Sequence, residues 1–163
     1  MVSSFGSNTW GLDFTWDGEL FFTMANGSHL RHVVLPEPVL ERGRVGGARS
    51  WEHIADHSRA FPASVHERQP YVQIDFVGGF TAAAGCLIYE GGAWPEEYRG
   101  DHFVTEPTVN LVHRDDLDPE GYTFLGSKPR ELEFLETDGN KRSQVIALPQ
   151  GSLFLLGDRT KQE

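Results

Sequence analysis

A single cysteine, Cys86, in 163 residues excludes an internal disulfide. It sits in an apolar run, AGCLIYE, which predicts a buried, inert thiol rather than a nucleophile. Positive charge is also scarce. Fourteen Lys and Arg stand against 24 Asp and Glu, a net charge of −10 with His neutral. Such a surface excludes nucleic acid as a partner, because the phosphate backbone needs clustered cations. No apolar run approaches the roughly 20 residues of a membrane-spanning helix. Residues 1–8, MVSSFGSN, have neither a basic start nor an apolar core, so the chain as it stands carries no signal peptide.

Glycine and aromatic residues are plentiful: 18 glycines and 12% Phe, Trp and Tyr. Many turns between short strands follow, and the fold class expected is all-β. The length predicts one domain, residues 1–163. GLDF (11–14), ELFFTM (19–24) and SHLRHVVL (28–35) read as a three-stranded meander, with Gly18 and Asn26-Gly27 at its turns. Residues 36–80 are rich in Pro and Gly and read as a long insertion. Its one helical signal is SWEHIADHSR (50–59), with Ser50 as N-cap and Pro62 as the stop.

Residues 82–117 are the best-organised stretch. Ala84 to Glu90 is an apolar strand closed by Gly91-Gly92. Pro95, Glu96, Glu97 and Gly100 stand in the order of one helical turn. HFVTE (102–106) and VNLVHR (109–114) follow as strands, and GYTFL (121–125) as a fourth. PRELEFLET (129–137) has helical composition. VIAL (145–148) and SLFLL (152–156) repeat the strand-turn-strand pattern near the end.

Three copies of that pattern predict a β-propeller, whose blades recur at about 40–50 residues. The expected organisation is a blade at 9–35, the insertion at 36–80, a blade at 81–126 and a divergent tail at 139–163. Closure takes about four to eight blades. The chain therefore reads as a partial propeller, about two blades and the start of a third, and as a fragment of something longer.

Candidate chemistry is sparse. His29 and His32 lie three apart on a strand, so they face opposite sides and cannot share one metal from a regular strand. His29 has the pKa of a general base; the plainer reading is a satisfied blade histidine. His53 and His57 are four apart on the candidate helix, a zinc-compatible spacing, but HExxH is absent and a solvated helix face is the simpler account. Asp115, Asp116 and Asp118 lack EF-hand spacing and read as a surface turn. Glu106 to Asn110 falls at the end of an inner strand, where propellers present ligands.

Four segments together carry a family resemblance: FGSNTWGLDFTWDGELFFT (5–23), HLRHVVL (29–35), RQPYVQIDFVGGF (68–80) and IYEGGAWPEEYRGDHFVTEPTVNLVHRD (88–115). The chain resembles the membrane-bound-dehydrogenase-type propellers of planctomycetes, distant relatives of soluble quinoprotein glucose and sorbosone dehydrogenases. The resemblance covers about residues 5–138, and the sequence departs after Asp138.

It implies a pyrroloquinoline quinone (PQQ) cofactor with Ca²⁺, and an oxidoreductase acting on a sugar or polyol as part of a longer parent, this chain alone being inactive. It also implies export to the periplasm and a c-type cytochrome as electron acceptor. In those enzymes an Arg-Asn pair contacts the quinone; here the pair is Ser7-Asn8. A later basic position aligns with Glu106. The resemblance aligns Asn8 and Glu106 with the cofactor; with Asn110 from the same strand end as a further cofactor contact and His29 as the base, they make up the expected site. The alternative is a non-catalytic propeller that binds carbohydrate or protein, or an inactive truncated fragment.

Overall fold

The computed structural model describes residues 8–44, 46–60, 79–107, 111–129 and 133–136, together with the strands at 144–147 and 153–156. Its architecture is all-β with one α-helix, as the glycine- and aromatic-rich composition predicts. The first sheet takes β1 (Thr9–Phe14), β2 (Leu20–Met24), β3 (Arg31–His32) and β4 (Glu52–His53) in chain order, every pair antiparallel. Helix α1 (Glu37–Gly43) lies in the connection from β3 to β4. The second sheet takes β5 (Ala84–Ile88), β6 (His102–Glu106), β7 (Leu111–Glu120) and β8 (Thr123–Ser127), again antiparallel and in order. β9 (Leu135–Glu136) adds to β7. A separate ribbon pairs β10 (Gln144–Ala147) with β11 (Leu153–Leu156).

Strand β7 is the spine. Its first half, Leu111 to Asp115, pairs with β6, and its second half, Asp116 to Glu120, pairs with β8. Along the first half, Leu111, His113 and Asp115 share one face by strand alternation, and all three are fully buried. Val112 and Arg114 face the other way. Val112 joins Tyr89 and Phe103 in an aromatic cluster, and Arg114 reaches Asp101 and the ring of Tyr98.

The two sheets meet over a core of Phe21, Leu30, Ile54, Cys86 and Ile88. Cys86 is free and buried, as its apolar setting predicts. Gly11 permits the approach: a Cβ there would stand 2.5 Å from the Cys86 nitrogen and 2.8 Å from the Gly85 Cα. Backbone and side-chain hydrogen bonds stitch the seam. Ile88 N donates to Asp13 Oδ2 at 2.9 Å, and Trp16 N to Glu90 Oε1 at 2.8 Å. At the other end Asp56 N donates to the Gly126 carbonyl at 2.9 Å, and Gly126 N to the Ile54 carbonyl at 2.8 Å.

Several expectations are corrected. Residues 50–59 form no helix: Glu52–His53 is a strand on β3, and Ile54 to Asp56 runs extended against Gly126. Pairing with two sheets outweighs a weak local propensity. The α-helix lies instead at Glu37–Gly43, where Pro38 occupies the first turn and Arg44 closes it with a left-handed φ of 52°. Asp115 is no surface turn residue; β7 runs straight through it. Part of 129–137 is the strand β9 rather than helix. The single turn after Pro95 is present as a 3-10 helix, Glu96–Tyr98. The strand expected at 71–76 lies outside the described residues. Among the described residues no helix is long and apolar enough to cross a membrane.

Candidate metal centre

Four side chains from three separate segments converge at the seam. His29 comes from the loop that follows the Asn26-Gly27 turn, where the Met24 amide closes onto the Ser28 carbonyl at 3.1 Å. His57 follows the extended segment held by Gly126. His113 and Asp115 project from the buried face of β7. One potential ligand atom from each lies within 4.8 Å of all the others. His29, His113 and Asp115 are buried, and His57 is half-buried at the rim.

The geometry is that of atoms gathered around a point. His29 Nε2 is 3.0 Å from Asp115 Oδ1, and His113 Nε2 is 3.2 Å from the same oxygen. His57 Nε2 is 2.8 Å from His113 Nε2 and 3.6 Å from Asp115 Oδ1. A tetrahedral zinc ion with bonds of about 2.0–2.1 Å sets its ligand atoms roughly 3.3–3.4 Å apart. These four separations run from 2.8 to 3.6 Å around that value, and every pair of the four atoms lies within 4.8 Å.

The outer partners fix which atoms face inward. His57 Nδ1 is 2.6 Å from Asp56 Oδ1, and His113 Nδ1 is 2.6 Å from Glu133 Oε2. Carboxylates accept, so each Nδ1 carries the proton and each Nε2 is left with its lone pair toward the centre. Lys128 in turn holds Glu133. The second oxygen of Asp115 is 2.9 Å from Nδ1 of His102, its direct cross-strand neighbour. His29 stacks on Phe80 with ring centroids 4.0 Å apart, which fixes its ring plane.

Lone pairs of two imidazoles and a carboxylate this close repel unless a cation lies among them. In the metal-free protein that cation is a proton. Burial opposes a charged His113, but Asp115 and Glu133 outweigh it and raise its pKa to about 9. Burial likewise opposes charge on His102, and the adjacent Cys86 and Asp115 raise it to about 9. For His29 burial prevails and lowers the pKa to about 4. Burial alone would raise the Asp115 carboxyl; the surrounding imidazoles, His29 and His113 foremost, hold it well below the ordinary range.

Three imidazole nitrogens and one carboxylate oxygen suit zinc and its first-row neighbours. They do not suit calcium, which takes six to eight oxygens. The residues assigned to a quinone by resemblance lie elsewhere. Asn8 is exposed; its side-chain oxygen accepts from Trp10 Nε1 at 2.7 Å and its carbonyl from Ala25 N at 2.9 Å. Glu106 is fully buried, and one of its oxygens accepts from the amides of Thr81 and Ala82, both at 2.9 Å. A buried carboxylate turned onto backbone amides does not fit a tricarboxylate cofactor. Asn110 lies outside the described residues. His29 is brought to the centre, but as a ligand-set member bonded to Asp115.

Sequence reasoning missed His113 and Asp115, although an HxD pair on a strand puts both side chains on one face. It placed His57 on a helix with His53; His53 instead sits in β4, away from the cluster. No local signal links His29 to Asp115, 86 residues later.

Residues 1–157 match the model of one protein family, a domain of unknown function (DUF7133), and the chain belongs to that family. No curated protein and no solved structure matches it.

Proposed function

We propose that this member of the DUF7133 family is a metal-binding β-domain whose two sheets are fastened by a closed, mononuclear zinc-type centre. The ligands are Nε2 of His29, His57 and His113 and Oδ1 of Asp115. The observation that carries the reading is the convergence of these four atoms with both Nδ1 protons of His57 and His113 committed to carboxylates. Four protein ligands complete a tetrahedral set, the pattern of structural sites, whereas catalytic zinc keeps one position for water or substrate. The ligand origins fit that role. His29 and His57 come from the first sheet and its continuation, His113 and Asp115 from the second. An ion here joins segments far apart in sequence, and its binding energy becomes folding energy.

The two sheets read as successive propeller blades. Each is a four-stranded antiparallel meander in chain order, the construction of a blade. The ion then fastens one blade to the next. A sugar or polyol dehydrogenase role for a longer parent is supported by the sequence resemblance alone, and the metal reading stands without it.

The test is metal content. The full chain is equilibrated with Zn²⁺, dialysed, and its zinc measured by mass spectrometry; the Co²⁺ form is read by visible absorption. The expected result is one ion per chain, with an intense tetrahedral cobalt spectrum, and no retained ion in His113→Ala. A wild-type chain that retains no zinc and gives only the weak spectrum of aqueous cobalt overturns the reading.

A further inference from the structure

The outer face of the first sheet gathers positive charge that nothing balances. Phe21 packs into the seam, and Phe22, one residue on, points the other way. Arg31 stands across from Phe22 on one side and from His53 on the other. Its guanidinium carbon lies 4.0 Å from the centre of the Trp51 ring and 5.9 Å from that of Phe22. Arg49 reaches the same indole, at 5.6 Å. Trp51 is itself set edge-on against Phe22, with ring centroids 6.2 Å apart and planes at 90°. Two guanidinium groups are thus held on one anchored aromatic ring.

No acid answers them. Neither guanidinium forms an ion pair or a side-chain hydrogen bond among the described residues, and Nε of Arg31 is buried there without a partner. Other cations of the chain are matched: Arg99 pairs with Glu96, Arg114 with Asp101 and Lys128 with Glu133. Glu52, next to Trp51, alternates to the other side of β4 and stands across from His32. Residues 42–51 contain three Arg and no Asp or Glu, in a chain of net charge −10. Burial, and then the charge of Arg49, lower the pKa of Arg31. Contact with the indole offsets part of this cost, but it uses the flat face of a guanidinium and leaves the N–H edge for another partner.

Charge and shape select that partner. The N–H edge of a guanidinium is a fork that fits two oxygens of a carboxylate or a phosphate. A carboxylate neutralises one such group, whereas two together match a dianion. A long polyanion would meet the acidic surface beyond the patch, so the ligand group is compact.

We infer that Arg31 and Arg49, set on Trp51, form a binding site for a phosphate or phosphomonoester group. None of the metal ligands takes part in it.

The probe is inorganic phosphate, titrated calorimetrically into the zinc-equilibrated, dialysed full chain at constant ionic strength. Saturable binding is expected, roughly tenfold or more tighter than for acetate. Arg49→Gln weakens phosphate by about tenfold, and Arg31→Lys, which keeps the charge but not the fork, by about threefold or more. Without phosphate the thermal midpoint of Arg49→Gln holds or rises, because a like charge beside Arg31 is gone. Methyl phosphate binding tighter than inorganic phosphate assigns the site to a phosphomonoester; the reverse order assigns it to free phosphate. Equal binding of phosphate and acetate, or no saturable binding, overturns the inference. Phosphate affinity unchanged in both variants also overturns it, since the anion is then held elsewhere, the metal ion included.

Discussion

Nε2 of His57 and Nε2 of His113 lie 2.8 Å apart, and each ring has its other nitrogen on a carboxylate, Asp56 or Glu133. Two neutral imidazoles held this way present lone pairs to each other. The arrangement needs a proton or a metal ion between them, and Asp115 Oδ1 stands 3.2 Å from His113 Nε2 to complete the cage.

The ligands and their supports are separable by mutation. Glu133→Gln keeps the shape but weakens the hold on His113 Nδ1, and zinc affinity should fall roughly 10–100-fold. Asp115→Asn removes a ligand, the hydrogen-bond partner of His29 and the counterion of two buried imidazoles, His102 and His113. Zinc affinity should fall further, and the metal-free protein should lose about 3–5 kcal/mol in urea unfolding. Competition with a chromophoric chelator measures the first effect. An Asp115→Asn protein with undiminished zinc affinity contradicts the ligand assignment.

Acidity separates the metal-free and metal-loaded states. The pKa of His113 and that of His102, each about 9 in the folded metal-free protein, are raised above the ordinary 6.5. Their contribution is therefore complete below pH 6.5 and is lost as pH rises through 9. His29, lowered to about 4, acts only on the acid side: its contribution is present above 6.5 and lost as pH falls through 4. With chelator present, the thermal midpoint should fall between pH 6.5 and 9. With zinc it should hold or rise over the same range, because the ligands bind deprotonated. Zinc titration at pH 7.5 in buffers of different ionisation enthalpy should release about one proton per ion.

Glu106 is a structural residue in this account. Glu106→Leu leaves the buried amide of Thr81 and the part-buried amide of Ala82 without their acceptor, a loss of about 1–3 kcal/mol for the first and less for the second. Glu106→Gln keeps an oxygen acceptor and should recover much of the stability. Zinc content should be unchanged in both. Chemical denaturation and metal analysis check the pair.

Gly11 marks the closest approach of the sheets. Gly11→Ala puts a methyl 2.5 Å from the Cys86 nitrogen, and backbone on both sides cannot yield as a side chain would. A cost of about 1–3 kcal/mol is expected from the forced shift. An unchanged thermal midpoint would show that the seam opens more easily than the structure implies.

Much of the strand pattern was legible because it is local. Apolar runs bounded by Gly and Asn-Gly located β1, β2, β5 and β6, and Pro95 to Gly100 located the 3-10 turn. What failed was non-local. Residues 50–59 have helical spacing, but their backbone pairs with Arg31 and His32 on one side and Gly126 on the other. The helix at Glu37–Gly43 begins between two prolines, which the Pro-rich setting disguised. Of the metal centre, only His113 and Asp115 had a readable signal, an i, i+2 pair on a strand. It was hidden by reading the acidic residues that follow as a turn. His29 and His57 reach the same point only through the packing of one sheet on the other.

The most direct measurement is anomalous diffraction at the zinc edge from crystals of the zinc-equilibrated full chain. A single peak is expected at about 2.0–2.2 Å from Nε2 of His29, His57 and His113 and from an oxygen of Asp115. Zinc bound only at other residues, with the His57 and His113 rings still facing each other across an empty centre, would contradict the account.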